Sequence, residues 1–552
     1  MAERWYEEAV IHCLEVQSFQ DSDGDGVGDF RGLISRLDYL ARLGVTCLWL
    51  NPIHPSPGRD DGYDVSDFYA VHPALGTLGD FAELLHQAGN RGIKIMIDLV
   101  VNHTSDQHPW FQSARSSPDS PYRDWYVWSQ TEPPDRHQGM VFPGEQDETW
   151  TYDKVAEAWY YHRFYDFEPD LNTDNPDVWR EIRKIVGFWT QLGVAGFRMD
   201  AVPFIIEHVV PGKPSGDKEF ELLTDLRQHL SWRRGDAVIM AEANVEPPAL
   251  VEYFSDAGGS ANRLHMLLDF ILNGALMLAL AREDAEAIGQ ALAATPELPE
   301  AAQWATFLRN HDENDLSRLT AEQRDEVLAR FGPEPQMQLY HRGVRRRMAT
   351  MLHNDLRWLQ LAYSLQFTLR GTPVLRYGEE IGMGEDLDLP GRDAIRTPMQ
   401  WSDHRNGGFS DAPADRLIRP MIDSGDHGCR QVNVTRQLLD PNSLLSWFER
   451  MIRSLRECSE VGTGSCTLLD AKVPRHVLAH QATSPAGTVV FLHNLRNEDV
   501  TVNLGKVPDS VGDPVEVFAD RQYDIPQHGL GTLTLGGHGY RWIRIRRTPA
   551  PI

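Results

Sequence analysis

The sequence predicts an α/β fold: a closed (β/α)8 TIM barrel that carries two insertions and a C-terminal antiparallel β-sandwich. Eight short aliphatic and β-branched runs recur as far as residue 380, with amphipathic helical patterns between most of them. Alternating strands and helices are typical of a parallel sheet, and eight such units can close a barrel. A doubly wound open sheet is the alternative, but it favours a Gly-rich phosphate loop, and neither GxGxxG nor GxxxxGK[ST] occurs.

Amphipathic helical patterns connect most of the predicted strands. DFRGLISRLDYLARLG precedes the second strand and DVWREIRKIVGFWTQLG precedes the fourth. The predicted strands are EAVIHCLEV (8–16), VTCLWLNPI (45–53), KIMIDLVV (94–101), GFRMDAV (196–202), VIMAEA (238–243), LHMLLDF (264–270), ATFLRNH (305–311) and PVLRYGEE (373–380).

Two connections are too long for a plain strand-to-helix unit. Residues 104–179, rich in Pro, Asp, Trp and Tyr, separate the third strand from its helix, so we expect an inserted domain B over the barrel mouth. Residues 313–350 predict a helical, lid-like insertion after the seventh strand. The barrel itself is therefore assigned to residues 1–103 and 180–460.

The pattern changes near residue 465, where short alternating strands separated by turn residues replace the helical patterns. We expect residues 465–552 to form the antiparallel β-sandwich. Its predicted strands are VLAHQA, TVVFLHNL, DVTVNL, PVEVFA, TLTL and YRWIRIR.

The composition excludes several classes of function. A net charge of −27 repels phosphate backbones and anionic bilayers, so neither nucleic acid nor a membrane is an expected partner. No apolar stretch reaches the roughly 18 residues of a membrane helix, and the N-terminal MAERWYEEAV is not a leader, which predicts a cytoplasmic protein. The five scattered cysteines have no CxxC spacing and predict neither a disulfide framework nor a zinc site. Oligomeric state is left open, and a homo-oligomer is compatible with the sequence.

Polar residues end four of these otherwise apolar strands, at the end where barrels of this type place their active residues. A single acid at such a position more often forms an ion pair or caps a helix, but four strands ending this way together favour catalysis. The third strand ends in Asp98, Asn102 and His103, the fourth in Arg198 and Asp200, the fifth in Glu242, and the seventh in His311 and Asp312.

The residue types favour glycoside chemistry. Arg198 and Asp200 are two apart and face the same way, so the guanidinium can hold the carboxylate ionised, which suits a nucleophile. Glu242 rises from an apolar strand, where a carboxyl tends to keep its proton, which suits a general acid. Two carboxyl groups about 5 Å apart define retaining glycoside chemistry.

The segment DSDGDGVGDF near the N-terminus predicts a cation site. Asp21, Asp23, Asp25 and Asp29 alternate with glycines, and the carbonyl of Val27 would complete a ring of oxygens. A solvated acidic turn is the alternative, but four like charges within nine residues repel each other without a cation. Calcium is favoured, with magnesium second.

The polar strand ends resemble the signature stretches of the α-amylase superfamily, glycoside hydrolase family thirteen. The resemblance covers residues 5 to about 420 and is consistent with the C-terminal sandwich. The matching stretches are DLVVNH (98–103), GFRMD (196–200), the Glu of MAEA (242), RNHD (309–312) and, within the predicted insertion, EPDLN (168–172).

This resemblance implies residue roles. Asp200 would be the nucleophile, Glu242 the general acid and base, and Asp312 a third carboxylate that grips sugar hydroxyls and distorts the ring. A second cation site would use Asn102 and Asp170, and no organic cofactor is expected. The donor glucose pocket would be lined by Asp60, Tyr63, with its ring as the floor, His103, Arg198, His311 and Arg396.

The stretch DGYDVSDFYAVHPALGTLGDF resembles exo-acting members of the superfamily, whose blind pocket admits one non-reducing glucose. The resemblance therefore implies small α-glucosides as substrates, and an intramolecular transfer that interconverts maltose and trehalose with some hydrolysis. Two alternatives stay open: an α-glucosidase or a glucosyltransferase with another acceptor, and a non-catalytic barrel subunit. Two residues depart from the pattern of the family: Glu168 stands where its members usually have Gln, and Arg376 interrupts the otherwise apolar eighth strand. These departures bear on which molecule accepts the transferred glucose.

Overall fold

Eight parallel strands form a closed barrel in the computed structural model, which describes residues 4–212, 218–256, 258–505, 514–524 and 530–546. Each strand pairs with the next along the chain, and the eighth pairs with the first, so the predicted fold is confirmed. The strands are Ile11–Leu14, Cys47–Leu50, Lys94–Leu99, Gly196–Met199, Val238–Ala241, Met266–Leu268, Gln303–Thr306 and Thr372–Arg376.

The strands are apolar on both faces because each face is covered. Alternate residues such as Cys13, Trp49 and Met240 fill the barrel interior, where they form one apolar cluster. Their neighbours, such as Leu48 and Ile239, pack outward against the helices in a second, larger cluster. This two-sided burial explains why the strands appear in the sequence as continuous apolar runs.

The helices surround the barrel or belong to its insertions. The amphipathic helix Pro176–Leu192 is typical of them: the Asn175 side chain caps its start, and Gly193, at φ 119°, ends it in a left-handed conformation. The α-helices are Phe30–Ser35, Leu37–Leu43, Leu78–Gly89, Pro109–Ser116, Pro176–Leu192, Val202–Ile205, Glu221–Arg233, Pro247–Phe254, Phe270–Arg282, Glu286–Ala294, Ala321–Phe331, Met348–Met351, Leu356–Thr368, Val434–Leu438, Leu444–Arg456 and Glu460–Thr463.

Both insertions lie on the side of the barrel where the strands end. Between the third strand and its helix the chain forms a short helix and a small antiparallel sheet of Trp128–Ser129, Trp150–Asp153 and Ala158–Tyr161. After the seventh strand, the helix Ala321–Phe331 is accompanied by a small three-stranded sheet that the sequence analysis did not predict. Its strands are Asn314–Asp315, Gln338–Leu339 and Gly343–Val344.

The C-terminal region is a two-sheet sandwich around its own apolar core, as predicted. All six predicted strands are present, and Ser465–Leu468 adds a seventh that was not predicted. Residues 506–513, 525–529 and 547–552 of the predicted region lie outside the described residues. The strands are Ser465–Leu468, Val477–Ser484, Gly487–Asn494, Val500–Asn503, Pro514–Ala519, Thr532–Leu535 and Tyr540–Arg546.

No helix in the described ranges is both long enough and apolar enough to cross a membrane. All five cysteines lie in those ranges and are free thiols, four of them buried.

Candidate active site

Arg198 lies at the centre of the polar cluster that ends the barrel strands. Its fully buried guanidinium donates to Asp200 Oδ1 at 2.7 Å and to Glu242 Oε2, and it lies 3.5 Å from Asp98 Oδ2. The parallel register places Asp98 directly beside Arg198 on the neighbouring strand. The structure thus brings together the ends of the third, fourth and fifth strands.

Asp200 and Glu242 face one cavity and are bridged by the same guanidinium. Because a guanidinium is only a few ångströms wide, contact with both its ends is compatible with the carboxyl spacing of about 5 Å that retaining enzymes use. Burial raises the pKa of Asp200, and the nearby Arg198 offsets part of this shift. The side chains are 13% and 26% exposed, so both can reach a ligand in the cavity.

The surroundings of Glu242 differ in one respect from those inferred from the sequence. The strand that carries it, Val238–Ala241, is buried and apolar, as expected. The carboxylate itself contacts the Arg198 guanidinium, and a cation favours the ionised form. An apolar strand therefore does not by itself keep a proton on Glu242.

Asp312 follows the seventh strand and is surrounded by positive groups. Arg396 Nη2 and Arg392 Nη1 lie 3.0 and 3.1 Å from its Oδ1, and His311 Nε2 lies 3.2 Å from its Oδ2. Burial disfavours its ionisation, but the neighbouring arginines, Arg392 foremost, bring the pKa of Asp312 well below its ordinary value. Asp312 is therefore an ionised acceptor on the cavity wall, suited to sugar hydroxyls.

The ring of Tyr63 is fixed at one wall of the cavity. Its hydroxyl donates to Asp98 Oδ2 at 2.7 Å and lies 2.6 Å from His311 Nε2. The Tyr63 and His311 rings are stacked with centroids 5.8 Å apart, and Trp49 Nε1 donates to the other Asp98 oxygen at 2.6 Å. A ring fixed in this way can pack against an apolar face of a sugar.

Asp60 and His103 complete the side of the cavity nearest Tyr63. His103 Nε2 lies 3.2 Å from the Tyr63 carbonyl, and burial lowers the pKa of His103 to about 4, so the ring is neutral. Burial raises the pKa of Asp60 to about 7, although Arg392 and Arg396 oppose the shift. Both side chains can therefore exchange hydrogen bonds with a neutral ligand.

The cavity has a volume of about 610 Å³, and the two insertions form its outer wall. Phe142 of the first insertion and Tyr340 of the second stack with centroids 4.8 Å apart. The Arg392 guanidinium lies 5.2 Å from the Phe142 ring and 5.5 Å from the Tyr340 ring. Arg342 Nη1 donates to the Val141 carbonyl at 2.8 Å. The insertions therefore contact each other above Asp200, Glu242 and Asp312.

The structure places the predicted residues in two layers. Six line the cavity directly: Asp60, Tyr63, His103, Asp200, Glu242 and Asp312. Behind them lie Arg198, His311 and Arg396, each in contact with a lining carboxylate.

Three further residues at this site were not identified from the sequence: Asp61, Arg392 and Arg419. Asp61 follows Asp60, and Arg392 lies in GRDAIRTPMQW, the same stretch as the predicted Arg396, so adjacency was an available signal. Arg419 is brought to Asp61 only by the fold, and no local pattern marks it.

Glu168 is fully buried beside the cavity, and its carboxylate is poorly partnered. Its Oε2 accepts from the Tyr165 N–H at 3.4 Å, and its Oε1 lies 3.8 Å from His103 Nε2. No salt bridge joins Glu168 to Arg163, because Arg163 Nη2 instead donates to Glu207 Oε2 at 2.7 Å. Burial raises the pKa of Glu168 well above its ordinary value, and the nearby Asp60 adds to the shift.

The candidate calcium loop brings three of its acids together. Carboxylate oxygens of Asp21, Asp23 and Asp29 lie within 4.8 Å of one another, whereas Asp25 is not part of this group. Asp25 Oδ1 instead accepts from the Val27 N–H at 2.8 Å.

The residues of the second candidate cation site are also near each other. The Asn102 amide is near enough to the Asp170 carboxylate to lower its pKa slightly, and Asp170 Oδ1 accepts from the Arg163 N–H at 2.9 Å. Burial raises the pKa of Asp170 to about 7.

The sequence profile of the alpha amylase catalytic domain matches residues 15–332 and 341–463. The chain therefore belongs to the α-amylase family, and it is an enzyme of that family. It is 40% identical to the trehalose synthase/amylase TreS of Mycolicibacterium smegmatis, over 98% of this chain and 93% of that protein. It is 39% identical to a trehalose synthase of Pimelobacter sp., over 98% of this chain and 96% of that one.

Solved structures agree with this assignment along the whole chain. The trehalulose synthase MutB from Pseudomonas mesoacidophila has a TM-score of 0.78 at 25% identity, covering 99% of this chain and 100% of its own. An alpha-amylase from H. orenii has a TM-score of 0.79 at 26% identity, covering 98% and 99%.

Proposed function

We propose that this enzyme interconverts maltose and trehalose by a retaining double displacement within a closed cavity, with some hydrolysis. The observation that carries the proposal is the Arg198 bridge between Asp200 and Glu242 at the base of a cavity whose outer wall is formed by two touching insertions. Relatives named trehalose synthase that align over nearly the full chain support the choice of sugar.

In the first step, Asp200 attacks the anomeric carbon of the non-reducing glucose, and Glu242 protonates the departing glycosidic oxygen. Asp312, kept ionised by its arginines, accepts hydrogen bonds from hydroxyls of the glucose being transferred. As the substrate enters, the Glu242 carboxylate must leave Arg198 and take up a proton from water, which it then gives to the glycosidic oxygen. The products of this step are a glucosyl ester on Asp200 and a free glucose.

In the second step, the freed glucose turns within the cavity and presents its anomeric hydroxyl to the glucosyl ester. Glu242 removes the proton from this hydroxyl, and the new bond forms on the face opposite Asp200, which the departing glucose has vacated. The two successive inversions retain the configuration of the anomeric carbon. The contacts between the insertions keep the glucose inside and limit entry of water. Water that does enter hydrolyses the ester, which accounts for some glucose release.

Product analysis tests this proposal against its alternatives. The enzyme would be incubated separately with maltose, trehalose and sucrose, with D200N as the inactive control, and the sugars separated by chromatography. Trehalose from maltose and maltose from trehalose, each with minor glucose, support the isomerase. Glucose alone would favour a hydrolytic α-glucosidase, a new disaccharide would favour a different acceptor, and no turnover of any α-glucoside would favour a non-catalytic barrel.

We also propose that calcium, or magnesium as second choice, binds the loop 21–29. The proximity of the Asp21, Asp23 and Asp29 carboxylates supports this, because oxygen ligands of this kind are those that calcium prefers. The cation would be structural, since this loop packs against the segment around Ser410, whose Oγ donates to Asp21 Oδ2 at 2.5 Å. A second cation between Asn102 and Asp170 has the weaker support of their adjacency.

A cytoplasmic location is proposed on the cysteines. All five are free, and buried thiols without disulfide partners are typical of a reducing compartment. Fractionation of the source cells with a specific antibody would test this, and recovery outside the cytoplasmic fraction would refute it.

A further inference from the structure

Asp61 lies next to the sugar-pocket residue Asp60, and its carboxylate is held between two buried arginines. Its Oδ2 accepts from Arg396 Nη1 and its Oδ1 accepts from Arg419 Nη2. Burial would disfavour its ionisation, but the two guanidiniums outweigh that effect and lower the pKa of Asp61 to about 2. Asp61 is therefore a permanent carboxylate that bridges two positive charges.

The backbone at Asp61 is held in an uncommon conformation. Its φ of 48° is in the left-handed region, and Gly62 follows at φ 98°. Asp and Asn tolerate this region better than most residues, but it is still unfavourable compared with ordinary conformations. Strain of this kind persists only where surrounding contacts fix it, and here the two arginine contacts do so.

Arg396, the first partner of Asp61, also holds a catalytic carboxylate. Its Nη2 donates to Asp312 Oδ1 at 3.0 Å, and its Nε donates to the His311 carbonyl at 2.9 Å. Glu15 faces the same guanidinium, with Oε1 3.4 Å from Nε. The three guanidinium nitrogens of Arg396 are thus oriented by acceptors on different elements, and Asp61 is the one that holds Nη1.

Arg419, the second partner, is itself anchored outside the barrel strands. Its Nε donates to Asp393 Oδ1 at 2.7 Å and its Nη1 to Ser18 Oγ at 3.3 Å. The adjoining Ile418 N–H donates to the Gly26 carbonyl at 2.9 Å. Arg419 therefore gives Asp61 a fixed point, so that the Asp61 carboxylate cannot follow Arg396 if Arg396 moves.

We propose that Asp61 is a positioning residue, which by bridging Arg396 and the anchored Arg419 fixes the Arg396 guanidinium on Asp312 and so sets the orientation in which Asp312 grips the sugar. This rests on the role of Asp312 in the proposed function. Loss of the bridge leaves Arg396 Nη1 without its acceptor and frees the Arg396–Asp312 pair to shift. Misplacement by about 1 Å can cost about 100-fold in rate.

The first test is the D61N variant, since Asn tolerates the left-handed backbone but accepts from only one arginine. We expect kcat on maltose to fall about 10- to 100-fold with KM changed less than about 3-fold, because the grip on the sugar matters most in the transition state. The fall in kcat should be equally large with α-glucosyl fluoride as the substrate, because Asp312 contacts the transferred glucose whatever the leaving group. A melting curve shows how much of the protein is folded.

The second test is a double-mutant cycle with Arg419. If the bridge acts as one unit, D61N in an R419Q background should cost much less than D61N alone, and R419K should retain more activity than R419Q. Glu283 offers a matched control, because it also has a positive φ, 54°, but ends a helix away from the cavity. E283N should leave kcat unchanged.

Three results would overturn the proposal. These are a wild-type kcat in D61N, strictly additive effects of D61N and R419Q, or a loss fully explained by the unfolded fraction. Failure of the isomerase assignment would appear differently. In that case the wild-type enzyme would form no trehalose, but its turnover of α-glucosyl fluoride would still report the effect of D61N.

Discussion

The Arg198 guanidinium contacts the proposed nucleophile Asp200, the proposed general acid Glu242 and the buried Asp98 at once. A buried charge of this kind is costly unless it is paired, and Arg198 forms ion pairs with three acids. The Asp200 and Glu242 carboxylates therefore depend on one side chain for both charge and spacing. Single residues around the cavity are therefore expected to control separate parts of the reaction. Substitutions of Glu242 and Glu168 test this expectation.

Replacement of Glu242 by Gln separates acid catalysis from nucleophilic attack. The amide keeps the size of the side chain but cannot give a proton to the leaving glucose, so turnover of maltose should fall by about 10²- to 10⁴-fold. Formation of the glucosyl ester from α-glucosyl fluoride should fall far less, because fluoride departs with little protonation. Burst kinetics with both donors measure the two steps, and equal losses on both would rule out Glu242 as the acid.

Replacement of Glu168 by Gln tests the departure from the family pattern. Glu168 is fully buried without an arginine or lysine partner among the described residues, and it adds another acid beside Asp60. If it shapes the acceptor side, the ratio of isomerised product to free glucose should shift, with little change in formation of the glucosyl ester. Unchanged ratios and rates on each disaccharide would make the substitution purely structural.

The loop 21–29 leads directly into the helix Phe30–Ser35, and Asp29 caps that helix by accepting from the Gly32 N–H at 2.8 Å. Chelation should lower the melting temperature before it affects kcat, and added calcium should restore it in a concentration-dependent way. D29N keeps the cap but removes a ligand charge, so it should reduce the calcium response. D67N, outside the loop, is the control. A melting curve indifferent to chelator and calcium would contradict the metal proposal.

The sandwich meets the barrel through buried histidines. His480 Nε2 lies 3.1 Å from the Thr368 carbonyl of helix Leu356–Thr368, and the His480 ring stacks on His493. Burial lowers the pKa of His480 to about 4, so the unfolded chain binds a proton that the folded protein excludes. The free energy of unfolding should therefore be highest above about pH 6.5 and should fall as the pH drops towards 4. Protonation of His480 in the unfolded chain should account for roughly 3 kcal/mol of this loss.

Unfolding of wild type and H480Q across this pH range checks that prediction. The wild-type enzyme should lose stability more steeply below pH 6.5 than the variant, whose side chain does not titrate. If the free energy of unfolding falls equally with pH in both proteins, His480 does not contribute to the loss of stability in acid.

At the scale of the whole molecule, the eight barrel strands were predictable because covering both faces makes each one a continuous apolar run. Ser465–Leu468 was missed because its side chains are mostly exposed and show no alternation. The two-residue strands after Asp312 were missed for a similar reason, since they are too short for any period.

The candidate site likewise contains residues that the sequence predicted and residues that it did not. Asp200, Glu242 and Asp312 were found because strand ends mark them in the sequence. Arg419 was not found, because more than 350 residues separate it from Asp61, and only the closed fold brings them together. The contact of Arg198 with Glu242 likewise depends on neighbouring strands, so the charge around Glu242 could not be predicted from its own strand.

The central claim is that glucose is transferred inside a closed cavity after covalent attack by Asp200. The most direct measurement is the reaction of unlabelled maltose in the presence of free ¹³C-glucose, with early trehalose analysed by mass spectrometry. The account predicts that this trehalose is unlabelled, since the glucose released in the first step is the one that attacks in the second. Trehalose labelled in proportion to the added glucose, or no trehalose at all, would contradict it.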